Sequence, residues 1–235
     1  MPTISFVSPK GGAGKTTSAV VLATELARRT GVTLIDADPN KPVSAWAKIG
    51  ATPPSLTVVA DVDEATIIDS IDDAASRTPF VVIDLEGTAS MMVSYAISRS
   101  DLVIIPTQGS QLDARQAARA IRLVQQQEKA FRCRIPHAVL LTRTSAAIRP
   151  RSLRHIHEQL IQHNVDIFAA QLIERDAFRA IFSFGGTLHD LDESQVSNLK
   201  AARANVHALA AEVIEKLRLA QEKDRETRVS ATEVA

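Results

Sequence analysis

Cysteine, aromatic residues and net charge are all scarce in this chain of 235 residues, and each scarcity excludes a kind of function. The single cysteine, Cys133, can form no disulfide within the chain and cannot build a cysteine-based zinc or iron–sulfur site alone. Aromatic residues make up 4%, which argues against recognition of single strands by base stacking. Lys+Arg and Asp+Glu number 27 each, so the chain does not coat nucleic acid by bulk charge.

Long apolar runs are also missing. No run approaches the roughly 18 residues that a membrane-spanning helix requires, and residues 1–5 lack the basic and apolar regions of a signal peptide. We therefore expect a cytoplasmic protein that does not bind membranes. Hydrophobic residues at 45% and charged residues at 23% are typical of a globular chain. We expect one domain over residues 1–222 and a disordered tail over 223–235.

The charges are unevenly distributed along the chain. Between Asp113 and Arg154, ten basic residues stand against two acidic ones, while the segment from Asp61 to Asp73 carries six carboxylates and no basic residue. Segregation of this kind indicates a surface with distinct basic and acidic regions, although solvated helix faces produce the same pattern.

Short apolar runs alternate with helical patterns along the chain. Strands that are apolar throughout and are followed by helices indicate a parallel sheet that is covered on both faces. We therefore predict an α/β fold with a doubly wound, mostly parallel sheet and helices on both faces. The predicted strands are 4–8, 32–36, 56–59, 80–84, 102–106, 138–142 and 167–172, and the predicted helices are 15–29, 43–49, 64–77, 113–130, 150–163 and 194–222.

A glycine-rich loop follows the first predicted strand and opens a helix. Backbone N–H groups of such a loop can surround a phosphate chain, and the helix N-terminus adds positive potential. Lys15 would reach the β- and γ-phosphates, and the Thr16 hydroxyl would bind Mg²⁺. The pattern predicts an ATP and Mg²⁺ site formed by Lys10, Gly11, Gly12, Ala13, Gly14, Lys15, Thr16 and Thr17.

Three carboxylates follow predicted strands at the edge of the sheet where ligands bind in doubly wound folds. Asp84 ends one strand, and its carboxylate is a suitable Mg²⁺ ligand. Asp36 and Asp38 lie two residues apart in an extended segment, so both can face the nucleotide. Asp36 and Asp84 could instead be strand-end carboxylates that are satisfied by local hydrogen bonds.

These motifs resemble those of one family. Lys10 precedes the first glycine of the loop, and Pro9 stands where the standard phosphate-loop pattern has glycine. This arrangement resembles the deviant Walker A box of the ParA/MinD superfamily of P-loop ATPases, and in particular its small plasmid-partition, ParF-like members. The similarity covers about residues 3–190 and includes the segments Leu34–Asn40, Val81–Asp84, Ser100–Pro106 and Leu112–Asp113.

The resemblance implies roles for individual residues. Members of the family are Mg²⁺-dependent ATPases that form an ATP-sandwich homodimer, in which Lys10 would cross to the phosphates of the partner subunit. Asp38 would position the attacking water, which makes Lys10, Lys15 and Asp38 the catalytic set. Thr16, Asp36 and Asp84 would form the metal site. The remaining nucleotide contacts would come from Thr142, Arg143, Ile173 and Arg175.

The resemblance also implies partners. The family's ATPase activity is weak alone and is stimulated by a partner, here a ParB-like centromere-binding adaptor. We expect non-specific binding of duplex DNA, segregation of plasmid or chromosomal DNA, and association with the nucleoid. The basic stretch suggests phosphate contacts, which give affinity without sequence specificity. The predicted DNA-binding residues are Arg143, Arg149, Arg151, Arg154, Arg175 and Arg179.

Two alternative functions remain open from the sequence. An ATPase of the same fold could serve conjugation or T-DNA transfer, or could position a protein cargo. A P-loop ligase or synthase that acts on a small molecule would use the same phosphate loop but would need neither a lysine acting in trans nor a basic face.

Overall fold

A computed structural model describes residues 1–87, 90–145 and 151–233, and the side chains of 111, 151–153, 155 and 227–233 lie outside that description. Within it the chain forms seven strands and eight helices. The strands are β1 (Thr3–Phe6), β2 (Val32–Ala37), β3 (Leu56–Val59), β4 (Phe80–Leu85), β5 (Leu102–Thr107), β6 (His137–Thr144) and β7 (Leu172–Ile173). The helices are α1 (Lys15–Ala27), α2 (Pro42–Ile49), α3 (Ile67–Arg77), α4 (Met91–Ser98), α5 (Gln111–Phe131), α6 (Arg151–Gln162), α7 (Ala177–Phe184) and α8 (Leu199–Glu233).

The strands form one sheet in the order β3-β2-β4-β1-β5-β6-β7, and every pair in it is parallel. This confirms the predicted α/β fold. The central strand β1 pairs with β4 and β5, so the loop that follows it emerges at the middle of the carboxyl edge. The register places Asp36 of β2 beside Asp84 of β4, which brings two of the predicted metal ligands together.

Two buried clusters cover the two faces of the sheet, as a doubly wound fold requires. Alternating strand residues divide between them, with Ile4 and Phe6 on one side and Ile35 and Ile83 on the other. Helices α1, α2, α7 and α8 pack on the first face, and α3, α4, α5 and α6 pack on the second. Helix α1 is buried around most of its circumference because α8 covers it from outside.

Two helices and one strand differ from the sequence expectation. Helices α4 and α7 were not predicted, because each has only 8 residues and neither has the proline that marks the start of the equally short α2. The strand predicted over 167–172 is shorter and displaced. Ile167 makes a single bridge to Val139, and β7 itself contains only two residues.

Helix α8 extends through residues 223–233, the segment for which the charged composition predicts a disordered tail. Its preceding turns carry ion pairs at helical spacing, from Arg218 to Glu215 at 2.7 Å and from Arg218 to Glu222 at 2.6 Å. Pairs of this kind stabilise a helix that has little apolar surface to bury. None of the described helices has an apolar stretch long enough to span a bilayer.

A close backbone contact joins α2 to α7. A Cβ atom on Gly185 would lie 2.7 Å from the Gly50 Cα, so the contact requires glycine, and Gly185 also has a φ of +75°. The Trp46 indole donates a hydrogen bond to the Gly186 carbonyl at 3.0 Å. Because α2 follows Asp38 and α7 follows the loop 174–176, this contact fixes two segments of the site relative to each other.

Candidate functional site

The glycine-rich loop lies at the carboxyl end of β1 and is anchored from the neighbouring strands. Gly12 and Gly14 have φ values of 77° and 93°, in the left-handed region that side chains disfavour. The Thr142 hydroxyl at the end of β6 donates to the Ala13 carbonyl at 2.8 Å, and Gln108 after β5 donates to the Gly12 carbonyl at 2.8 Å. Gln108 was not identified from the sequence, because its role depends on the pairing of β1 with β5.

Lys15 opens α1 and is only 7% exposed. Its ammonium lies against the backbone at Gly87, where an added Cβ would be 3.6 Å from Nζ and 3.7 Å from the Gly11 nitrogen. No ion pair to Lys15 is present among the residues that the structure describes. The lysine is therefore positioned in the loop with its charge available for an anionic ligand, as the phosphate-loop prediction requires.

Asp36 and Asp84 form the buried acidic part of the site, and neither has exposed surface. One oxygen of Asp36, Oδ2, accepts hydrogen bonds from the Ser44 N–H and hydroxyl at 2.8 Å each, so it caps α2, while Oδ1 has no partner. Neither oxygen of Asp84 has a hydrogen bond of ordinary geometry. Burial raises the pKa of Asp84 to about 7, against the lowering effects of the Thr16 side chain and the Lys15 charge.

These groups fit a bound Mg²⁺. Three buried carboxylate oxygens lack donors, and buried polar atoms without partners are rare in folded proteins. The Thr16 hydroxyl lies close enough to Asp84 to affect its pKa, and carboxylate and hydroxyl oxygens suit a hard cation. Thr16 and Asp84 would hold the ion, with Asp36 contributing its free oxygen while its other oxygen supports α2. The role of Ser44 was not visible in the sequence.

Replacing Asp84 with asparagine should stabilise the nucleotide-free protein, and more so at about pH 8 than at about pH 5. In the unfolded chain this carboxyl loses its proton near the ordinary aspartate pKa of 3.8, whereas in the folded chain it does so near a pKa of about 7. The cost of burying its charge therefore grows as pH rises through that window and is complete above it. We expect a gain in the free energy of unfolding on the order of 2–4 kcal/mol above pH 7, measured by urea denaturation.

Asp61→Asn, at an exposed carboxylate, is the matched control and should change the free energy of unfolding little at either pH. A gain for Asp84→Asn that is the same at both pH values would contradict the assignment of the raised pKa to this group.

Lys10 makes its contact within its own chain. Its ammonium donates to Asp113 Oδ1 at 2.6 Å, and the two side chains are 34% and 4% exposed. Asp113 also forms a capping box with Ser110 at the start of α5. Burial alone would raise the pKa of Asp113, but hydrogen bonds from Lys10 and Ser110 hold it below its ordinary value. The sequence marked Asp113 only as part of a segment that resembles the family, and the structure identifies it as the partner of Lys10.

Asp38 lies just beyond β2 in a hydrogen-bonded turn. Its Oδ1 accepts from the Asn40 backbone N–H and side-chain amide, both at 2.9 Å, and the residue is partly exposed. Its negative charge contributes to the raised pKa of Asp84, which places it near the proposed metal site. Lys41 donates to the carbonyls of Asp36 and Ala60 and holds the segment after Asp38 against β3.

A cleft with about 440 Å³ of open space lies beside the phosphate loop. All four residues predicted to complete the nucleotide site, Thr142, Arg143, Ile173 and Arg175, line it. Phe178 supplies an apolar wall, and Gly14, Thr17 and Ser18 continue the cleft into the loop. The space is suited to the base and ribose of a nucleotide whose phosphates lie in the loop.

Three of the residues predicted to bind DNA lie at the cleft, and one other is described on α6. Arg143, Arg175 and Arg179 line the cleft, and Arg179 forms an ion pair with Glu174. Arg154 is exposed on α6, with its Nε 3.8 Å from Glu158 Oε1. Arg149 lies outside the described residues, and Arg151 begins α6 with a side chain outside the description.

Comparison with known proteins gives a family assignment. The family model of the VirC1 protein matches residues 1–223. The chain is similar to Protein ParA of Rhizobium radiobacter, at 43% identity over 218 residues that cover 92% of this chain and 98% of the relative. These matches span the phosphate loop, the carboxylates and the cleft.

Solved structures share the fold. The apo McdA structure from Cyanothece superposes with a TM-score of 0.72 at 17% identity, covering 89% of this chain and 99% of that one. The septum site-determining protein MinD from Pyrococcus horikoshii, solved with Mg-ADP, gives 0.67 at 18% identity, covering 90% and 95%. With a matching family model over almost its whole length and a ParA relative of the same size, this chain belongs to the VirC1 family within the ParA/MinD superfamily of P-loop partition and positioning ATPases.

Proposed function

We propose that this protein is a Mg²⁺-dependent partition ATPase that switches between a monomer and an ATP-sandwich homodimer. The observation that supports this most directly is the second lysine of the phosphate loop. Lys10 is partly exposed and is held by Asp113, whereas the loop's other lysine, Lys15, is buried. One buried lysine, Lys15, is enough to bind the phosphates within a subunit. The partly exposed Lys10 is therefore available to contact the phosphates of a neighbouring subunit.

The exchange of partners by Lys10 supplies the switch. Leaving Asp113 breaks an ion pair whose lysine is about one-third exposed but whose carboxylate is only 4% exposed, so the move has a cost, although Ser110 still donates a hydrogen bond to Asp113. Phosphates of ATP in a partner subunit offer Lys10 a larger negative charge and therefore a net gain. After hydrolysis that charge is reduced, and Asp113 competes again for Lys10. ATP would thus favour the dimer, and its hydrolysis would favour the monomer.

Within one subunit the other groups have separate tasks. Lys15 and the loop N–H groups bind the phosphates, and bound Mg²⁺ would neutralise charge that develops on them. Thr16, Asp36 and Asp84 hold the ion. Asp38 positions the attacking water from the edge of the metal site.

The dimer would bind duplex DNA without sequence preference and act with a ParB-like centromere-binding adaptor that stimulates a weak ATPase. Joining two subunits doubles the phosphate contacts to one duplex and raises avidity with no new type of contact. Such a protein would associate with the nucleoid in the cytoplasm and segregate plasmid or chromosomal DNA. Arg149, Arg151 and Arg154 near the start of α6 remain the proposed contacts from the sequence, with Arg143, Arg175 and Arg179 at the cleft.

Lys10→Ala should bind ATP but form no ATP-dependent dimer, because the contact to the partner's phosphates is lost while Lys15 remains. Light scattering with ATP and Mg²⁺ measures the dimer, and calorimetry measures nucleotide affinity. Lys48→Ala, at an exposed lysine of α2, is the control and should dimerise normally. A full ATP-dependent dimer in Lys10→Ala would exclude the role in trans.

Co-sedimentation with duplex DNA in ATP and in ADP tests the function as a whole. We expect strong binding in ATP and weak binding in ADP. A small-molecule ligase or synthase would show no ATP-dependent DNA binding, and that result would reject the partition function. If the protein instead served conjugative transfer, its binding to DNA would depend on a protein of the transfer apparatus and not on a centromere-binding protein.

A further inference from the structure

One face of α5 is a continuous basic stripe that the site does not use. Arg115, Arg119, Arg122, Gln126 and Lys129 follow one another at intervals of three or four residues, so they share a face of the helix. All five are exposed. We call these five residues the α5 stripe.

The opposite face of α5 explains why the stripe points outward. Ala117, Ala120, Ile121 and Val124 are buried against the sheet and fix the rotation of the helix. The acidic residues of α5 do not lie on the stripe, because Asp113 binds Lys10 and Glu128 accepts from the Ile135 N–H at 2.9 Å. The stripe therefore carries four positive charges and no negative one.

The positive charges of the stripe have no acidic partners among the described residues. Exposed basic residues elsewhere in the chain commonly form ion pairs, as Arg77 does with Asp73 and Arg218 does with Glu215. Arg115, Arg119, Arg122 and Lys129 form none with any residue that the structure describes. A row of four cations of this kind forms a basic surface that attracts a polyanion.

The neighbouring helix α3 offsets little of the positive charge on the stripe. Helix α3 lies on the same face as α5, with α4 between them, and it exposes Asp69, Asp72 and Asp73, but Asp72 pairs with Arg99 and Asp73 pairs with Arg77. Because arginines pair with two of these three carboxylates, α3 adds little net charge, and a polyanion approaching the face would be attracted to α5. The stripe on α5 therefore keeps its net positive charge in the context of its neighbours.

We infer that the α5 stripe binds the phosphate backbone of duplex DNA. From Arg115 to Lys129 the helix rises by about 21 Å, because each residue adds about 1.5 Å. Over that length each DNA strand presents about six phosphates, since they are spaced by about 3.4 Å along the axis. The four long side chains can each reach a different phosphate, and the absence of aromatic groups from the stripe favours backbone contacts over base contacts.

The position of the stripe links DNA to the nucleotide. Helix α5 begins at the capping box that contains Asp113, the residue that holds Lys10. A change in the Lys10 contact therefore acts on the first turn of the helix that carries the stripe. This inference rests on the proposed DNA binding and assigns it mainly to α5, whereas the sequence assigned it to α6 and the cleft.

The test compares charge reversals on different helices by fluorescence anisotropy with a labelled duplex, in ATP and Mg²⁺, over a range of salt concentrations. Arg122→Glu with Lys129→Glu changes the half of the stripe that is farther from Asp113. We expect binding at fixed salt to weaken by about tenfold or more, and the salt dependence to decrease by about two phosphate contacts per subunit. Two duplexes of unrelated sequence should give the same losses.

Three comparisons make the result decisive. Lys48→Glu with Lys200→Glu changes the net charge equally at exposed residues of α2 and α8 and should bind DNA much as the wild type does. Arg151→Glu with Arg154→Glu tests the α6 assignment and should have the smaller effect. Light scattering must show that the α5 variant still dimerises with ATP.

Each outcome has a definite meaning. If the α5 variant binds DNA as the wild type does, or if only the α6 variant loses binding, the inference is wrong while the proposed function stands. If the wild type itself binds no duplex, the proposed function and the inference both fail. If the α5 variant keeps DNA binding but loses self-association, the stripe contacts another copy of this chain instead of DNA, and the inference is wrong.

Discussion

Replacing Lys15 with alanine should abolish measurable ATP binding. This lysine is 7% exposed, and its ammonium and the Gly11 nitrogen both lie near Gly87, where the phosphates are expected. Hydrogen bonds between charged groups contribute about 1.5–3 kcal/mol each, so losing the contacts to two phosphates should lower affinity at least about 100-fold. Isothermal calorimetry with ATP and Mg²⁺ measures the change directly.

Lys48→Ala serves again as the control, because it removes an exposed lysine of α2 and leaves the loop intact. Thermal unfolding should show that Lys15→Ala is folded. A folded Lys15→Ala protein with wild-type affinity would contradict the assignment of the loop as the phosphate site.

Asp38→Ala should bind ATP and dimerise but hydrolyse little. The carboxylate lies at the edge of the metal site and is not among the groups that anchor the loop, so its removal should leave nucleotide binding unchanged. Losing the group that orients the attacking water should lower the turnover rate by about 10²-fold or more. Phosphate release under saturating ATP measures turnover, and light scattering reports the dimer.

The turn at Asp38 requires a matched comparison. Asn40→Ala removes the amide that binds Asp38 but keeps the carboxylate, so its turnover should fall much less. Equal losses in the two variants would show that the turn matters rather than the carboxylate. Wild-type turnover in Asp38→Ala would remove Asp38 from the mechanism.

Contiguous motifs were predictable because their chemistry is local. The strand, the glycines and Lys15 are adjacent in sequence. A glycine-rich loop between a strand and a helix has few conformations, other than a phosphate loop, that give its backbone N–H groups a partner. The parallel sheet was predictable for a related reason, since strands that are buried on both faces have no polar side. The short helices α4 and α7 were not predicted, because two turns carry little pattern and neither helix has the proline that marks the start of α2.

The contacts that control the site could not be derived from the sequence. Lys10 and Asp113 are 103 positions apart, and they meet because β1 and β5 are neighbours in the sheet. Ser44 turns one oxygen of Asp36 into a helix cap, which no residue spacing reveals. Residue spacing also does not reveal that three of the arginines assigned to DNA line the cleft beside the loop.

The sequence alone therefore determined the fold class, the phosphate loop and the family, because each depends on residues that are neighbours along the chain or on the burial pattern of single elements. The tertiary structure decided which partner holds Lys10, which carboxylate oxygens are free for a cation, and which basic residues share a surface. Those properties depend on strand order and helix rotation. Both are fixed by packing between distant segments, as when the buried residues of α5 turn its basic stripe outward.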